Sequence, residues 1–190
     1  MSWGVIHKDF EEPIRKTVKG KVVLDIGAGD LDLASQLLKL GAKRIVAVDK
    51  EIGKTRSKRI VRYGEYLDNF LKRVYGEEGL RWDVAFLSWP SNWHMPGLRE
   101  LLFFSKKIVV LSKNSDATAC GTSGLWRYLQ TRELEWAIPN VRNWLHIYSH
   151  DEDLGRAPTG EERAGILLDV DRSFSYEEIY HDPIRQNERP

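Results

Sequence analysis

The chain has 190 residues, of which 42% are hydrophobic and 30% charged, and its formal net charge is only +1. This length suits one ordinary domain with a substantial core, and the composition is globular, neither disordered nor fibrous. The longest apolar runs are too short to cross a bilayer, and the first residues lack the pattern of a secretory signal. The single Cys120 excludes an internal disulfide and a thiolate-rich zinc site. We therefore expect a soluble, cytoplasmic protein.

Apolar runs and helical patterns alternate through the first 114 residues. Short continuous apolar runs predict strands that are buried on both faces, and apolar residues at helical spacing predict the helices between them. The alternation predicts a Rossmann-like, mostly parallel sheet with helices on both faces, because right-handed crossovers return each helix onto the sheet. The predicted strands are 21–27, 44–49, 59–65, 82–90 and 106–114, and the predicted helices are 10–18, 30–41, 66–76 and 97–105.

The pattern changes after residue 114. Residues 124–136 have the spacing of a helix, and residues 143–150 and 162–170 predict two strands that would form an antiparallel hairpin at the sheet edge. Residues 171–190 are polar and predict a loosely packed tail. The expected organisation is an N-terminal arm and helix (1–20), one α/β domain (21–170) and the C-terminal tail (171–190).

The turn after the first predicted strand carries Asp25, Gly27 and Gly29. Ligands of such sheets bind beyond the carboxyl ends of the strands, and glycines there let the backbone approach a ligand closely. The helix N-terminus that follows also offers free amides to an anionic group. Asp49 closes the second strand, 24 positions after Asp25, and its two oxygens suit a ribose diol. Together these residues predict a ligand site with a ribose.

Two phosphate-binding motifs do not fit this turn. The dinucleotide fingerprint needs a third glycine where the chain has Asp32, whose charge would oppose a pyrophosphate. The phosphate loop would need a glycine in place of Val48, which lies inside a predicted strand, although Gly53, Lys54 and Thr55 match the end of that motif.

Residues 21–114 resemble the class I S-adenosylmethionine-dependent methyltransferases. The first motif of that family is an apolar strand ending in an acid, followed by x-G-x-G, and "VVLDIGAGD" matches it. Leu31 departs from the family, which often has a third glycine at this position. The resemblance implies that 21–170 is a methyltransferase domain and that S-adenosylmethionine is its cofactor.

The resemblance also implies roles for single residues. Gly27 and Gly29 would line the methionine end of the cofactor, and Asp49 would hold the ribose hydroxyls. In "RYGEYLDNFLKR", which looks like the third family motif, Glu65 would lie near the adenine amino group and Tyr66 beside the ring. The cofactor-binding set that it implies is Asp25, Gly27, Gly29, Asp49, Glu65, Tyr66 and Ser88.

The fourth predicted strand leads into Ser88, Trp89, Pro90 and Ser91, where the family has its catalytic rim. Methylases of exocyclic base amines and glutamine amides are similar in a motif of Asp, Asn or Ser, two prolines and an aromatic residue. Here Trp89 replaces the first proline and Ser91 the aromatic, which argues against a standard base methylase. A polar group there would aim the lone pair of an amine at the methyl, and positioning supplies most of the catalysis. Ser88, Trp89 and Pro90 are the expected catalytic residues.

Two further pairs of side chains each have two interpretations. Trp89 and Trp93 either offer a stacking face to a flat substrate or pack in the core. His146 and His150 have metal-ligand spacing only on a helix, and we interpret them as strand residues, so no metal site is predicted.

The methyl acceptor stays open at this level. Arg56, Lys58 and Arg59 belong to a basic run between Lys50 and Arg62 that either contacts the phosphates of nucleic acid or is a solvated face. A small molecule, a nucleic acid and a protein amine all remain candidates, and a partner chain could help to recognise a large substrate. Two alternatives to the enzyme also remain: a catalytically degenerate cofactor-binding subunit or sensor, and a nucleotide-sugar or nicotinamide enzyme that uses Asp49.

Overall fold

The computed structural model describes residues 5–76, 80–88, 105–113, 132–139 and 143–149, together with Leu98, Leu102 and Leu129. The helices with defined bounds are α1 (Lys8–Val18), α2 (Asp32–Lys39) and α3 (Leu67–Gly76). The strands are β1 (Val22–Ile26), β2 (Arg44–Val48), β3 (Ile60–Tyr63), β4 (Val84–Ser88), β5 (Lys107–Lys113), β6 (Glu133–Pro139) and β7 (Asn143–Ser149). Within these residues, no helix is both long and apolar enough to span a membrane.

The strands form one sheet in the order β3-β2-β1-β4-β5-β7-β6. The first five in this order pair in parallel, and β7 is antiparallel to both β5 and β6. The chain leaves β1 towards β2 and β3 on one side and later returns to β4 on the other side of β1. The carboxyl ends of β1 and β4 therefore flank the switch point, where sheets of this type bind their ligands.

The core has two layers, one on each face of the sheet. On one face α1 and α2 pack through buried residues such as Phe10, Ile14 and Leu37. On the other face α3 packs through Phe70, and the helical residues Leu98 and Leu102 cover the same side. The central strands have apolar residues on both faces because both are covered. The predicted mostly parallel sheet with helices on both faces is confirmed.

The segment 124–136, which is predicted to be a helix, differs in part from the structure. The predicted helix 124–136 is wrong over residues 132–136, because Arg132 lies in a bend and Glu133–Trp136 belong to β6. Glu and Leu favour a helix in isolation, but the ladder with β7, which pairs Trp136 with Ile147, overrides this local preference.

The predicted antiparallel hairpin exists at the sheet edge, but its partner strand is different. β7 is bonded to β5 on one side and β6 on the other, so both of its edges are occupied. Pairing of β7 with residues 162–170 is therefore wrong, and that segment itself lies outside the described residues.

Candidate cofactor site

The turn after β1 is shaped by two glycines in left-handed conformations. Gly27 has φ 76° and Gly29 has φ 48°, values that L-residues with side chains rarely adopt. The amides of Gly27 and Ala28 both donate to the carbonyl of Val48, at 2.9 and 3.1 Å. Hydrogen bonds thus hold the turn to the end of β2. A Cβ placed on Gly27 or Gly29 would meet no atom within 4 Å, so the space beside this backbone is free for a ligand.

Asp49 holds this turn with its side chain. Its Oδ2 accepts a hydrogen bond from the Gly29 amide at 3.0 Å, and its Oδ1 accepts one from the Glu51 amide at 2.8 Å. Each carboxylate oxygen has a further lone pair. The half-buried carboxylate can therefore organise the turn and still accept hydrogen bonds from a ligand hydroxyl.

Asp25 lies directly before the turn and is completely buried. Neither of its carboxylate oxygens has a hydrogen-bond partner in the part of the chain that the structure describes. Burial, and secondly the negative charge of Asp49, raise the pKa of Asp25 to about 7. A buried carboxylate without a partner is costly unless it is protonated or lies near a cation, so Asp25 favours positive charge in the adjoining glycine turn.

Leu31 shows how the chain manages without a third glycine. It precedes α2 with φ 71° and ψ 16°, and its side chain does not cap the helix. A left-handed L-residue costs about 1–2 kcal/mol, whereas burial of a leucine side chain contributes about 1.5–3 kcal/mol. Leu31 is only 2% exposed and belongs to the core under α1 and α2. Its burial therefore offsets the backbone strain.

Gly53 completes the turn from the segment after β2. Its amide donates to the Gly29 carbonyl at 2.7 Å. A Cβ at this position would lie 2.7 Å from the carbonyl oxygen of Asp30, closer than side chains tolerate. In the sequence Gly53 matches only the end of a phosphate motif that Val48 excludes, and this role in the turn is not predicted. A glycine in the polar segment that follows Asp49 was the available signal.

The residues expected around the adenine lie beyond β3. Glu65 is bound to Arg73, with Nε 3.0 Å from Oε1 and Nη2 3.4 Å from Oε2. The guanidinium carbon of Arg73 also lies 5.8 Å from the ring centre of Tyr63, a contact that the sequence pattern does not predict. Tyr66 is 64% exposed, and its carbonyl accepts the Phe70 amide at the start of α3. These residues follow β3, which is two strands, or about 10 Å, from β1.

Ser88 ends β4 at the switch point. The register pairs Ile26 with Leu87, so Ser88 and Gly27 follow at adjacent strand ends. The fold thus brings Ser88 together with Asp25, Gly27, Gly29 and Asp49. The other expected catalytic residues, Trp89 and Pro90, lie outside the described residues, as does Trp93.

His146 belongs to β7, as the strand interpretation predicts. Its ring lies between those of Trp144 and Tyr148, with centroid distances of 5.6 and 6.2 Å. Burial lowers the pKa of His146 and raises that of Tyr148 to about 12. The described residues contain no group of three or more His, Cys, Asp or Glu side chains suited to a metal ion.

Neither a protein-family model nor a curated protein sequence matches the chain. Several solved structures do. The 1,6-didemethyltoxoflavin-N1-methyltransferase of Burkholderia thailandensis, bound to 1,6-didemethyltoxoflavin and S-adenosylhomocysteine, has a TM-score of 0.54 and 14% identity over 75% of this chain and 78% of its own. A proposed S-adenosylmethionine-dependent methyltransferase of Listeria monocytogenes has a TM-score of 0.50 and 11% identity, covering 77% and 100% of the two chains.

A proposed RNA methyltransferase of Pyrococcus horikoshii also matches. Its TM-score is 0.50 and its identity 13%, over 78% of this chain and 89% of its own. At such low identities the similarity concerns the fold. The chain has the Rossmann-like fold of the class I S-adenosylmethionine-dependent methyltransferases.

Proposed function

We propose that the protein binds S-adenosylmethionine and transfers its methyl group to an acceptor. The observation that carries this proposal is the buried, unpartnered carboxylate of Asp25 beside the open glycine turn. S-adenosylmethionine has an ammonium, a sulfonium and one carboxylate, so it brings a net positive charge to the glycine turn next to this buried group. A dinucleotide would instead bring a pyrophosphate to the N-terminus of α2, where the exposed carboxylate of Asp32 would repel it.

The cofactor would be held at the carboxyl ends of β1, β2 and β3. Gly27 and Gly29 allow the methionine end to approach the backbone, and Asp49 accepts hydrogen bonds from the ribose. Glu65 accepts from the adenine amino group while Arg73 keeps the carboxylate in a fixed orientation. The complete proposed set is Asp25, Gly27, Gly29, Asp49, Glu65, Tyr66 and Ser88.

Methyl transfer would occur next to β4. The bound cofactor supplies an activated methyl group, so the protein has mainly to orient the acceptor. Ser88 accepts a hydrogen bond from the acceptor amine. This bond orients the lone pair of the amine nitrogen towards the methyl group of the cofactor. Trp89 and Pro90, which follow Ser88 in the sequence, complete the proposed catalytic set.

The acceptor can be an amine of a small molecule, a nucleic acid or a protein. Among the similar structures, one is described as acting on RNA and another binds 1,6-didemethyltoxoflavin. The second candidate function is a catalytically degenerate cofactor-binding subunit or sensor, favoured by Trp89 and Ser91 in place of the proline and the aromatic residue. Both functions use the domain 21–170, between the N-terminal arm and the tail 171–190.

Calorimetric titration of the full chain with S-adenosylmethionine, S-adenosylhomocysteine and NAD tests the cofactor. We expect micromolar binding of the first two ligands and loss of binding in Asp49→Ala. Glu51→Gln is the matched control, because it removes an exposed neighbouring charge and keeps the backbone amide that bonds to Asp49. Preferential binding of NAD, or no binding by the wild type, would exclude the proposed function.

A further inference from the structure

The edge of the sheet opposite the cofactor site is strongly basic. This amino edge contains the starts of β1, β2, β3 and β4, the residues just before them and the last turn of α2. Exposed lysines and arginines occur in every one of these segments. Together they form what we name the amino-edge basic surface: Lys19, Lys21, Lys39, Lys43, Arg44, Lys58, Arg59 and Arg81.

Backbone pairing brings these distant segments together. The Lys43 amide donates to the Lys21 carbonyl, and the Ile45 amide donates to the Arg59 carbonyl, each at 2.8 Å. Residues 19 and 42 form an antiparallel bridge beside them. Because neighbouring strands are about 4.8 Å apart, the four strand starts span about 14 Å. Cations that are as many as 62 positions apart in the sequence therefore share one surface.

These charges are not neutralised by neighbours that the structure describes. None of the eight side chains forms an ion pair there, and the one described acid between them, Asp83, accepts the Val22 amide at 2.8 Å. Some cations elsewhere are paired, such as Lys16 with Glu12 on α1 and Lys107 with Glu135. Glu77 and Glu78, which precede β4, lie outside the described residues.

The basic run of the β2–β3 connection extends this surface towards the cofactor site. The connection begins after the carboxyl end of β2 and ends at the amino end of β3, so it passes from one edge of the sheet to the other. Its cations Lys50, Lys54 and Arg56 are exposed. Arg62, on the edge strand β3, is also exposed and donates to the Gly53 carbonyl at 2.7 Å. Basic side chains thus connect the amino edge with the glycine turn.

The chemistry of this surface fits a regular polyanion. Protein partners generally bury an apolar core, but the large exposed apolar residues that the structure describes, Val5, Tyr66, Leu134 and Trp136, all lie outside it. A single nucleic-acid strand in a helical conformation carries about one negative charge per 3.4 Å of its axis, or about four phosphates over 14 Å. A polyanion of this kind suits a group of exposed cations without apolar anchors.

We propose that the amino-edge basic surface binds the phosphate backbone of nucleic acid. The inference goes beyond the proposed function, because it does not require nucleic acid to be the methyl acceptor. It also enlarges the sequence hypothesis for Arg56, Lys58 and Arg59 by adding cations from four other segments. The β2–β3 connection then provides a path along which a bound strand reaches the carboxyl edge.

Fluorescence anisotropy with a labelled single-stranded RNA of about 20 nucleotides tests this surface, using the full chain without cofactor. One edge variant combines Arg44→Gln, Lys58→Gln and Arg59→Gln. A second combines Lys19→Gln, Lys21→Gln and Lys43→Gln. The control variant, with Lys8→Gln, Arg15→Gln and Lys72→Gln, loses the same charge from exposed positions on α1 and α3.

Each edge variant should weaken RNA binding by about tenfold or more at about 0.1 M salt, and the slope of log Kd against log salt should fall by about 2. The control variant should keep the wild-type slope. Equal losses of RNA affinity in all three variants would show that only the net charge of the protein matters and would overturn the proposal. Wild-type affinity in both edge variants would also overturn it. Displacement of the RNA by polyglutamate as efficiently as by unlabelled RNA would also overturn it, in favour of an acidic protein.

Two readouts keep the experiment interpretable. Circular dichroism and thermal unfolding establish that each variant is folded, and the use of two edge variants guards against one folding defect. Calorimetric titration of S-adenosylmethionine into the same variants separates the two proposals, because loss of RNA binding with intact cofactor binding concerns this surface alone.

Discussion

The carboxylate of Asp49 accepts a hydrogen bond from the backbone amide of Gly29 at 3.0 Å. This contact fixes the glycine turn after β1 to the end of β2, although the two residues are 20 positions apart. The same carboxylate contributes to the raised pKa of Asp25. One acid thus shapes the turn, disfavours a second negative charge beside it and offers oxygens to a ligand.

Substitution of Asp49 should separate these roles. Asp49→Ala leaves the Gly29 amide without its acceptor, and we expect the free energy of unfolding to fall by about 1–3 kcal/mol. Asp49→Asn keeps one acceptor oxygen, so the loss should be smaller. Urea unfolding of both variants measures the difference. Equal stability of Asp49→Ala and the wild type would show that the hydrogen bond contributes nothing to the turn.

Gly53 should tolerate no side chain. In Gly53→Ala the new Cβ would lie 2.7 Å from the Asp30 carbonyl oxygen, and the backbone must move because a carbonyl cannot rotate away. We expect a loss of about 1–3 kcal/mol in unfolding free energy and weaker cofactor binding.

Gly64→Ala is the matched control for this substitution. Its Cβ would meet only the Ile52 Cγ2, at 3.2 Å, and this side chain can adjust. Thermal unfolding and cofactor titration compare the two variants. A Gly53→Ala protein with the stability and affinity of Gly64→Ala would contradict the close packing of Gly53 against the turn.

Substitution of Arg73 should weaken cofactor binding more than it lowers the free energy of unfolding. Its ion pair with Glu65 is partly solvent-exposed, and exposed pairs contribute only about 0–1 kcal/mol. In Arg73→Gln we therefore expect a small change in unfolding free energy. The affinity for S-adenosylmethionine should fall severalfold, because Glu65 loses the group that orients it. Lys72→Gln, which removes an adjacent exposed charge, should change neither quantity, and unchanged affinity in Arg73→Gln would argue against a role for Glu65.

The elements that the sequence predicted well are those determined by residues that are close together in the chain. β1 and β2 are buried on both faces, so continuous apolar runs mark them. Gly27 and Gly29 were recognisable because left-handed turns select glycine. These features placed the turn and its acids at one edge before any contact was known.

Features that depend on pairing between distant segments could not be predicted in this way. Residues 133–136 form a strand because β7 pairs with them, although their composition suits a helix. Arg73 reaches Glu65 across the turn into α3, a spacing that no simple helical pattern gives. The amino-edge basic surface appears only when the register of β1, β2 and β3 is known.

Asp25 should make the stability of the cofactor-free protein depend on pH. Its pKa is about 7 in the folded protein against 3.8 for an ordinary aspartate. Between these pH values the folded state retains a proton on Asp25 that the unfolded chain has released. The free energy of unfolding is therefore higher at low pH and falls as the pH rises towards 7. Asp25→Asn does not titrate and provides the reference.

Urea unfolding across this interval measures the effect. The difference in unfolding free energy between wild type and Asp25→Asn should fall by up to about 1.4 kcal/mol per pH unit, and then stay constant above pH 7. Parallel stability curves for the two proteins would show that Asp25 is ionised in both folded and unfolded states.

Ligand binding should reverse this preference of Asp25 for its proton. An ammonium close to the buried carboxylate favours the ionised form and lowers its pKa, so binding below pH 7 should release a proton. At about pH 6 we expect close to one proton per S-adenosylmethionine bound. The measurement is calorimetric titration in two buffers with different ionisation enthalpies. S-adenosylhomocysteine, which keeps the ammonium but lacks the sulfonium charge, should release the same proton if the ammonium is the partner of Asp25. Identical binding enthalpies in the two buffers would contradict a cation beside Asp25, because no proton would then leave the site.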